Sequence, residues 1–534
     1  MSFSTRLATS IVATDAPLAQ QVAAAADRGA DLVELRADLI GDVRAIEGLL
    51  QAPRPLPLII TVRAAAEGGA WTAGEQERVA LLARLARLAP DFIDVELATW
   101  RTAAPLRETL ATTQRRDRDR RPRLILSQHD PRRTPTDLAA ALSELAQAPA
   151  DVRKAAFLAA DATDALRLLE ALRSVPNPGS WALLSMGAGG VAGRLLARKF
   201  GAFLSFAALE RGRESAPGQL TLDEMRGLYG WDRLRASTRV YGVVGWPVSH
   251  SRSPAVHNAA MAHAGIDGAY VPFAVAPAPA ALDAFLDHAN VNPELDLAGL
   301  SVTIPHKQAA LVWLDRSGGR VSRVARRCGA VNTLVRDEHG WRGENTDIDG
   351  VMHALSAGGV SAASLRGLRA AVLGAGGVAR AVAATLIDNG AAVTLFNRTS
   401  ARASELAREL GCGAGDWQTR AHAQPDLIAN CTSVGMTRMA EARATAAPDT
   451  AHEAGGENEP PSSELSPWPA DALRPETIVF DSVYTPARTR LLADAAERGC
   501  RVVSGADMFL GQALRQFELW HSQAAPDEAM RAAI

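Results

Sequence analysis

Short apolar runs alternate with stretches of helical period along the first 230 or so residues. Helix-period stretches such as 75–88, 135–146 and 164–173 lie between the apolar runs. The apolar runs, each a candidate strand, fall at 7–13, 31–35, 58–62, 92–96, 124–127, 155–159, 181–185 and 202–206. Parallel strands that are buried on both faces have this unbroken apolar character. Eight β/α repeats in this length predict a (β/α)8 barrel.

A second α/β pattern begins near Arg239, where the run 239–244 predicts a strand, and further βα units are expected to about Arg342. From Leu368 a strand (370–373), a glycine turn (374–377), a helix (378–389) and a strand (392–397) follow in the order of a Rossmann opening. The chain is therefore predicted to be an α/β protein, an N-terminal barrel followed by a two-domain α/β part with a Rossmann domain. Predicted boundaries are 1–232 for the barrel, 239–342 with a C-terminal helix in 510–534 for a substrate domain, and 343–509 for the Rossmann domain.

One segment, 437–468, is rich in Ala, Glu, Pro, Ser and Gly and has no apolar periodicity. Such composition is typical of a flexible surface insertion, and we expect one here.

Composition narrows the possible functions. The formal net charge of −2 argues against a nucleic-acid-coating role. No segment approaches the roughly 18 uninterrupted apolar residues of a membrane span, and no signal peptide is expected. The four cysteines have no metal-ligand spacing, so we expect reduced thiols, a cytoplasmic location and no metal site.

Polar residues cluster at the predicted carboxyl ends of the barrel strands, where barrel active sites form. A lysine in a barrel mouth loses hydration, which lowers its pKa and favours attack on a carbonyl. A nearby histidine can move protons, and arginines can clamp a carboxylate. Each residue alone could be structural, as a snorkelling lysine, a rim ion pair or a helix cap. The clustered residues are Glu34, Arg36, Arg63, Glu96, His129, Lys154, Arg194, Ser215 and Gln219.

The barrel resembles type I 3-dehydroquinate dehydratase. The matching motifs, in order, are Glu34-Leu-Arg-Ala-Asp38, Thr61-Val-Arg63 with Glu67-Gly-Gly69, Asp94-Val-Glu96, Ser127-Gln-His-Asp130, Lys154, Ser185-Met-Gly187 with Arg194, and Ser215-Ala-Pro-Gly-Gln219. The resemblance implies a Schiff base at Lys154, proton transfer by His129, and orientation of His129 by Glu96. It also implies that Arg194 binds the substrate carboxylate, and that the remaining residues hold hydroxyls or close a lid.

The second half contains a possible proton-transfer pair, Lys307 and Asp347, because an ammonium held by a carboxylate can protonate a developing alkoxide. An ordinary salt bridge is the alternative. Ser251 and Ser253 could bind a carboxylate or hydroxyl, or could cap a helix. The glycine turn can receive a pyrophosphate. Arg398 and Arg402, after the next strand, favour a 2′-phosphate and hence NADP over NAD.

From Tyr241 onward the chain resembles shikimate dehydrogenase. The matching motifs are Gly245-Trp-Pro-Val-Ser-His-Ser-Arg-Ser-Pro254, Ser301-Val-Thr-Ile-Pro-His-Lys307, Gly329-Ala-Val-Asn332, Asn345-Thr-Asp-Ile-Asp-Gly350, Gly374-Ala-Gly-Gly-Val-Ala-Arg380, Asn397-Arg-Thr399 and Asp481-Ser-Val-Tyr484. The resemblance implies that Lys307 and Asp347 are catalytic. Shikimate-binding residues would be Ser251, Ser253, Thr303, Asn332, Tyr484 and Gln512. Cofactor-binding residues would be Gly374, Ala375, Gly376, Gly377, Val378, Ala379, Asn397, Arg398, Thr399, Arg402 and Gly505.

The whole chain therefore resembles the bifunctional dehydroquinate dehydratase–shikimate dehydrogenases, with 3-dehydroquinate and 3-dehydroshikimate as small-molecule partners and NADP as cofactor. No nucleic-acid or membrane partner is expected, and the oligomeric state stays open. Two alternatives remain at this point. The second half could use quinate and NAD in a catabolic role, or one half could be a non-catalytic binding module.

Overall fold

The computed structural model describes residues 5–116, 121–437 and 464–534. Contacts between Cα atoms divide the chain into two compact units. The first contains the described residues up to Pro254 together with Gly265–Leu297, and the second contains Ala255–Ala264 and the described residues from Ala298 onward. This division does not coincide with the three domains predicted from the sequence, whose boundaries stay a prediction.

The first unit contains eight parallel strands in the order β7-β6-β5-β4-β3-β2-β1-β8, which form a nearly closed barrel. The strands are β1 Arg6–Ile11, β2 Leu32–Arg36, β3 Leu58–Thr61, β4 Phe92–Glu96, β5 Arg123–Asp130, β6 Val152–Leu158, β7 Trp181–Met186 and β8 Leu204–Ala207. The helices around it are α1 Leu18–Asp27, α2 Ala37–Ile40, α3 Val43–Gln51, α4 Glu75–Ala86, α5 Leu97–Thr102, α6 Ala104–Arg116, α7 Leu138–Gln147, α8 Ala162–Ser174 and α9 Val191–Leu196. The predicted barrel is confirmed.

The interior of the barrel changes character along the strands because alternate residues of a strand face the same side. An apolar cluster fills the amino-terminal layers, including Leu32, Phe92, Ile125 and Val152. Two residues further along the same strands stand Glu34, Asp94, Ser127 and Lys154, all of which are buried. An apolar floor therefore supports a polar layer at the carboxyl ends of the strands.

The strands and helices after the barrel begin with a parallel pair, β9 Arg239–Gly245 and β10 Gly268–Ala274. In the second unit, β13 and β14 form an antiparallel hairpin, so the βα units expected to Arg342 end earlier than predicted. The elements of this region are α10 Ser253–His263, α11 Ala281–Asn290, β11 Leu297–Val302, α12 Lys307–Ser317, β12 Arg320–Val321, α13 Arg323–Cys328, β13 Thr333–Asp337, β14 Gly340–Glu344 and α14 Asp347–Ala357.

A six-stranded parallel sheet in the order β17-β16-β15-β18-β19-β20 forms the Rossmann part of the second unit. The strand order reverses beside β15, where a dinucleotide binds in this fold. The elements are β15 Arg369–Leu373, α15 Gly377–Asp388, β16 Ala392–Phe396, α16 Ser400–Leu410, β17 Gly413–Gly415, β18 Leu427–Asn430, β19 Ile478–Asp481, α17 Arg490–Glu497, β20 Arg501–Val503, α18 Gly505–His521 and α19 Asp527–Ala532. The predicted Rossmann opening is confirmed.

Most of the insertion expected at 437–468 lies outside the described residues. At its carboxyl end, Trp468 is buried in an apolar cluster with Val479 and Leu491. Among the described residues, no helix is both long and apolar enough to cross a membrane.

Two candidate active sites

A cavity of about 150 Å³ opens at the carboxyl ends of the barrel strands. The sequence-predicted residues that line it are Glu34, Arg36, Arg63, His129, Lys154, Arg194, Ser215 and Gln219. Glu96, the remaining predicted residue of this half, lies outside the cavity wall. The structure thus brings together eight residues that come from six different segments of the chain.

Lys154 lies in β6 with its ammonium group between two carboxylates. Its Nζ donates to Asp94 Oδ2 at 2.9 Å and to Glu34 Oε1 at 3.4 Å. The ring of Phe206 covers it, with Nζ 4.8 Å from the ring centroid. Burial would raise the pKa of Glu34, but Lys154 and Arg36 hold that pKa below its ordinary value. The amine is therefore fixed at one point of the cavity wall.

The His129 imidazole contacts Glu67 rather than Glu96. Its Nδ1 lies 2.9 Å from Glu67 Oε2 and 3.0 Å from Arg63 Nη1. The same Glu67 oxygen accepts the His129 backbone N–H at 2.9 Å. Burial, together with the cations Arg63 and Lys154, lowers the pKa of His129 well below its ordinary value. Burial raises the pKa of Glu67 to about 7.

Glu96 has different partners from the one implied by the family resemblance. Its carboxylate accepts from Arg78 Nη1 at 2.7 Å, from the Ala64 N–H at 3.0 Å and from Arg63 Nη1 at 3.4 Å. The expectation that Glu96 orients His129 by direct contact is therefore wrong, because the segment after β3 places Glu67 against the imidazole instead.

Asp94 and Glu67 were not among the predicted site residues. The sequence carried a signal for Asp94, which stands two residues before Glu96 and must share its face of β4. Arg63 Nη2 donates to Asp94 Oδ2 at 3.0 Å. Arg63 and Lys154 hold the pKa of Asp94 far below its ordinary value, although burial by itself would raise it. No strand periodicity extends to Glu67, because it lies in a loop.

Arg194 and the loop after β8 form the far wall of the cavity. Burial lowers the pKa of Arg194 to about 10, and its Nε has no hydrogen-bond partner within the described part of the chain. Gln219 Nε2 donates to Ser215 Oγ at 3.0 Å, and Ser215 Oγ contacts Ser10 Oγ at 3.0 Å. The Gly187 N–H donates to the Pro217 carbonyl at 3.0 Å, so this loop lies against the turn after β7.

The second site is built around Lys307 and Asp347, which begin helices α12 and α14. Lys307 Nζ lies 2.5 Å from Asp347 Oδ2, and both side chains are mostly buried. Asn332 Nδ2 donates to Asp347 Oδ1 at 2.8 Å and approaches Gln512 Oε1 at 3.3 Å. The structure therefore joins four of the predicted residues into one network.

The other predicted substrate residues are placed as follows. Tyr484 stacks on Phe509, with ring centroids 4.9 Å apart. Thr303 is half-buried and stands three residues before His306, the N-cap of α12. The His306 N–H donates to the Thr303 carbonyl at 2.9 Å. Ser251 and Ser253 belong to the first unit, where the Ser253 N–H donates to Ser251 Oγ at 3.2 Å.

The glycine turn after β15 meets the requirements of a pyrophosphate site. Gly374 has a φ of +110°, and a Cβ there would lie 2.9 Å from the Cys431 carbonyl oxygen. A Cβ on Gly376 would meet open space, and α15 begins without a side-chain cap. Its first peptide N–H groups are thus available to an anion. A Cβ on Gly377 would lie 3.2 Å from Lys307 Cδ, so this turn adjoins the second site. Ala375 and Val378 are half-buried, and Ala379 is buried.

Arg398 and Arg402 are exposed beyond the end of β16, and neither forms an ion pair with another described residue. Asn397 Nδ2 donates to the Thr399 carbonyl at 3.0 Å, which shapes the turn that presents Arg398. Unpaired guanidinium groups here fit a 2′-phosphate. Gly505 is buried, and a Cβ there would lie 2.4 Å from the Val483 carbonyl oxygen.

Four family models match separate stretches of the chain. Residues 7–235 match the type I 3-dehydroquinase model, and residues 243–334 match the shikimate dehydrogenase substrate binding domain. Residues 358–435 match the shikimate/quinate 5-dehydrogenase model, and residues 505–534 match the shikimate 5′-dehydrogenase C-terminal domain.

Named relatives match either the whole chain or its second half. The chloroplastic bifunctional 3-dehydroquinate dehydratase/shikimate dehydrogenase of Arabidopsis thaliana is 35% identical over 524 residues, covering 94% of this chain and 79% of the relative. The NADP(+) shikimate dehydrogenase of Acidiphilium cryptum is 42% identical over 291 residues, covering 54% of this chain and 92% of the relative. A solved structure of dehydroquinate dehydratase and shikimate dehydrogenase from S. pombe AroM is 25% identical, with a TM-score of 0.41, and covers 99% of this chain and 98% of that one. The chain therefore belongs to the family of bifunctional 3-dehydroquinate dehydratases/shikimate dehydrogenases.

Proposed function

We propose that this chain carries out two consecutive steps of the shikimate pathway. The barrel dehydrates 3-dehydroquinate to 3-dehydroshikimate, and the second half reduces that product to shikimate with NADPH. The observation that carries the proposal is the presence of two separate lysine–carboxylate centres in one polypeptide. One lies in a cavity at the barrel mouth, and the other adjoins the glycine turn.

Lys154 is the proposed nucleophile of the first reaction. Its Nζ must lose a proton before it attacks the substrate ketone. Asp94 and Glu34 hold the ammonium by hydrogen bonds, and the neutral His129 imidazole, which lines the same cavity, is the proposed acceptor of that proton. Loss of water from the carbinolamine gives the imine, whose positive charge makes the neighbouring C2–H bond acidic. Asp94, Glu34 and the Phe206 ring stabilise that charge.

His129 is the proposed base that removes the C2 proton, since its lowered pKa keeps the imidazole neutral at physiological pH. The C1 hydroxyl then leaves as water, and hydrolysis of the imine releases 3-dehydroshikimate. The buried Arg194, with its Nε unpaired in the described structure, supports binding of the substrate carboxylate. Arg36, Arg63, Ser215 and Gln219 are proposed to bind hydroxyl groups or to close the loop over the cavity.

Lys307 is the proposed acid of the second reaction. Asp347 holds its ammonium, and Asn332 in turn holds Asp347, so the proton is presented in a fixed direction. Bound NADPH would supply the hydride, with its pyrophosphate on the α15 turn and its 2′-phosphate on Arg398 and Arg402. Thr303, Tyr484 and Gln512 are proposed to bind shikimate, and the same role stays a sequence-based prediction for Ser251 and Ser253.

The test adds 3-dehydroquinate to the purified full chain, follows enone absorbance, and then adds NADPH and follows its oxidation. Enone that appears and then decays as NADPH is consumed supports both steps. Lys154→Met should abolish enone formation yet reduce supplied 3-dehydroshikimate normally, whereas Lys307→Met should accumulate enone. An absence of enone with wild-type protein would refute the dehydratase assignment, and persistent enone would refute the reductase assignment.

A further inference from the structure

Six buried charged side chains of alternating sign run from helix α4 across the barrel mouth. Arg78 contacts Glu96 at 2.7 Å, Glu96 contacts Arg63 at 3.4 Å, and Arg63 contacts Asp94 at 3.0 Å. Asp94 then contacts Lys154 at 2.9 Å, and Lys154 contacts Glu34 at 3.4 Å. None of these side chains is more than 7% exposed. We call this set the charge ladder.

Arg78 is the outer end of the charge ladder and does not line the cavity. It is fully buried and is held from several sides. Nη1 donates to the Val62 carbonyl at 2.6 Å, Nε donates to Glu75 Oε2 at 2.8 Å, and Nη2 also contacts Thr99. A planar guanidinium can satisfy all of these acceptors at once, whereas a lysine ammonium cannot.

Arg78 holds the Glu96 carboxylate, and that carboxylate in turn contacts two groups beside His129. One Glu96 oxygen accepts from Arg63 and from the Ala64 N–H, which starts the loop that carries Glu67. Arg63 and Glu67 both lie against His129 Nδ1, at 3.0 Å and 2.9 Å. A shift of Glu96 therefore moves both neighbours of the proposed base.

We propose that Arg78 is a positioning residue of the dehydratase, which acts through Glu96 on Arg63 and Glu67. With Arg78 in place, the Glu96 carboxylate is shared between two guanidinium groups. Without it, a buried carboxylate is left with Arg63 as its cation and draws that side chain away from Asp94 and His129. This inference rests on the proposed dehydratase function.

The test compares Arg78→Met with Arg84→Met in the full chain. Arg84 lies on the same helix but is mostly exposed and pairs with Glu47, so its loss should leave activity unchanged. For Arg78→Met we expect dehydratase kcat to fall on the order of 10- to 100-fold, which is typical of residues that act on an active site through a neighbouring side chain. The KM for 3-dehydroquinate should change less than kcat, because Arg78 itself does not line the cavity. Dehydrogenase activity, measured on the same sample, reports whether the protein is folded.

The double variant Arg78→Met/Glu96→Gln separates charge positioning from simple packing. If an uncompensated Glu96 carboxylate causes the loss, removing that charge should restore kcat several-fold over Arg78→Met. A double variant no more active than the single one, or a wild-type kcat in Arg78→Met, would overturn the proposal.

If Arg78→Met does not fold, Arg78→Lys provides the test, because it keeps the positive charge but lacks the planar guanidinium group. It should still lower kcat with dehydrogenase intact, and an unchanged kcat would refute the proposal. Wild-type protein without dehydratase activity would instead refute the proposed function.

Discussion

Glu67 and His129 form a pair whose hydrogen bond selects the imidazole tautomer. When Glu67 is ionised, Nδ1–H can donate to it, which leaves Nε2 free to accept the substrate proton. When Glu67 is protonated, Nδ1 becomes the acceptor, from Glu67 or Arg63, and Nε2 carries the hydrogen. Because the Glu67 pKa is raised to about 7, dehydratase kcat should increase as pH rises through about 7.

Glu67→Gln tests this tautomer control, because an amide oxygen can accept from Nδ1–H at every pH. We expect a kcat about tenfold lower at pH 8 and a flat profile between roughly pH 6 and 8. The measurement is enone formation at saturating 3-dehydroquinate across that range. An inflection near pH 7 that persists in the variant would assign the titration to another group.

Arg398 and Arg402 decide the choice of cofactor in our interpretation. The double variant Arg398→Gln/Arg402→Gln loses two charge-assisted contacts, each worth about 1.5–3 kcal/mol. The KM for NADPH should rise at least about 100-fold, while kcat and the use of NADH change little. The control is Arg408→Gln, since Arg408 is exposed near the end of helix α16, which also contains Arg402. A KM for NADPH equal in both variants would contradict the assignment.

Helices α14 and α18 cross at two glycines, and this crossing places Asp347 beside Gln512. A Cβ on Gly350 would lie 2.5 Å from the Met508 carbonyl oxygen, and one on Gly511 would lie 2.4 Å from His353 Cβ. Gly350→Ala should therefore destabilise the second unit by about 1–3 kcal/mol and lower dehydrogenase activity. Dehydratase activity should be unchanged, because the barrel lies in the first unit.

The control for that substitution is Gly48→Ala in helix α3, where a Cβ would meet nothing within 4 Å. Its stability should be equal or slightly higher, since alanine favours a helix over glycine by about 1 kcal/mol. Thermal inactivation of the two activities, followed separately, measures both effects. Equal inactivation of the dehydrogenase in both variants would show that the crossing tolerates a methyl group.

Strands and helices could be predicted from the sequence where their buried residues form an apolar run. They were predicted less accurately where polar residues are buried. The sixth strand was predicted at 155–159 but spans Val152–Leu158, because charged Arg153 and Lys154 interrupt the apolar pattern. Helix α18 begins at Gly505 rather than at 510, since its glycines serve close packing instead of ending the helix. The contact of Glu67 with His129 depends on a loop path that no periodicity encodes.

At the scale of the whole molecule, two apolar cores support two chemistries. One fills the barrel below the cavity, and the Rossmann sheet has its own clusters on both faces. Lys154 and its partners lie in the first unit, whereas Lys307, Asn332, Asp347 and Gln512 lie in the second. The two activities should therefore respond independently to substitutions near either lysine.

The carboxyl-terminal boundary of the barrel can be tested with fragments of the chain. Lys199 Nζ donates to the carbonyls of Ala236 and Thr238 at 2.7 and 2.8 Å, and Trp231 is fully buried. A fragment of residues 1–238 keeps these contacts. It loses the hydrogen bonds of Ser237 and Thr238 to Asp267 and the packing of α11 and β10 against α8 and α9. The ion pairs it loses, Glu170 with His288 and Arg173 with Glu294, are partly exposed and contribute little.

We therefore expect fragment 1–238 to fold and to dehydrate 3-dehydroquinate at close to the full-chain rate. Fragment 1–230 lacks Trp231 and leaves the Lys199 ammonium without its two acceptors, which should cost about 3–5 kcal/mol for the tryptophan alone. The measurement is the melting temperature and kcat of both fragments beside the full chain. Equal stability of the two fragments would place the end of the barrel before Trp231, and an inactive 1–238 fragment would mean that the barrel requires the elements that follow it.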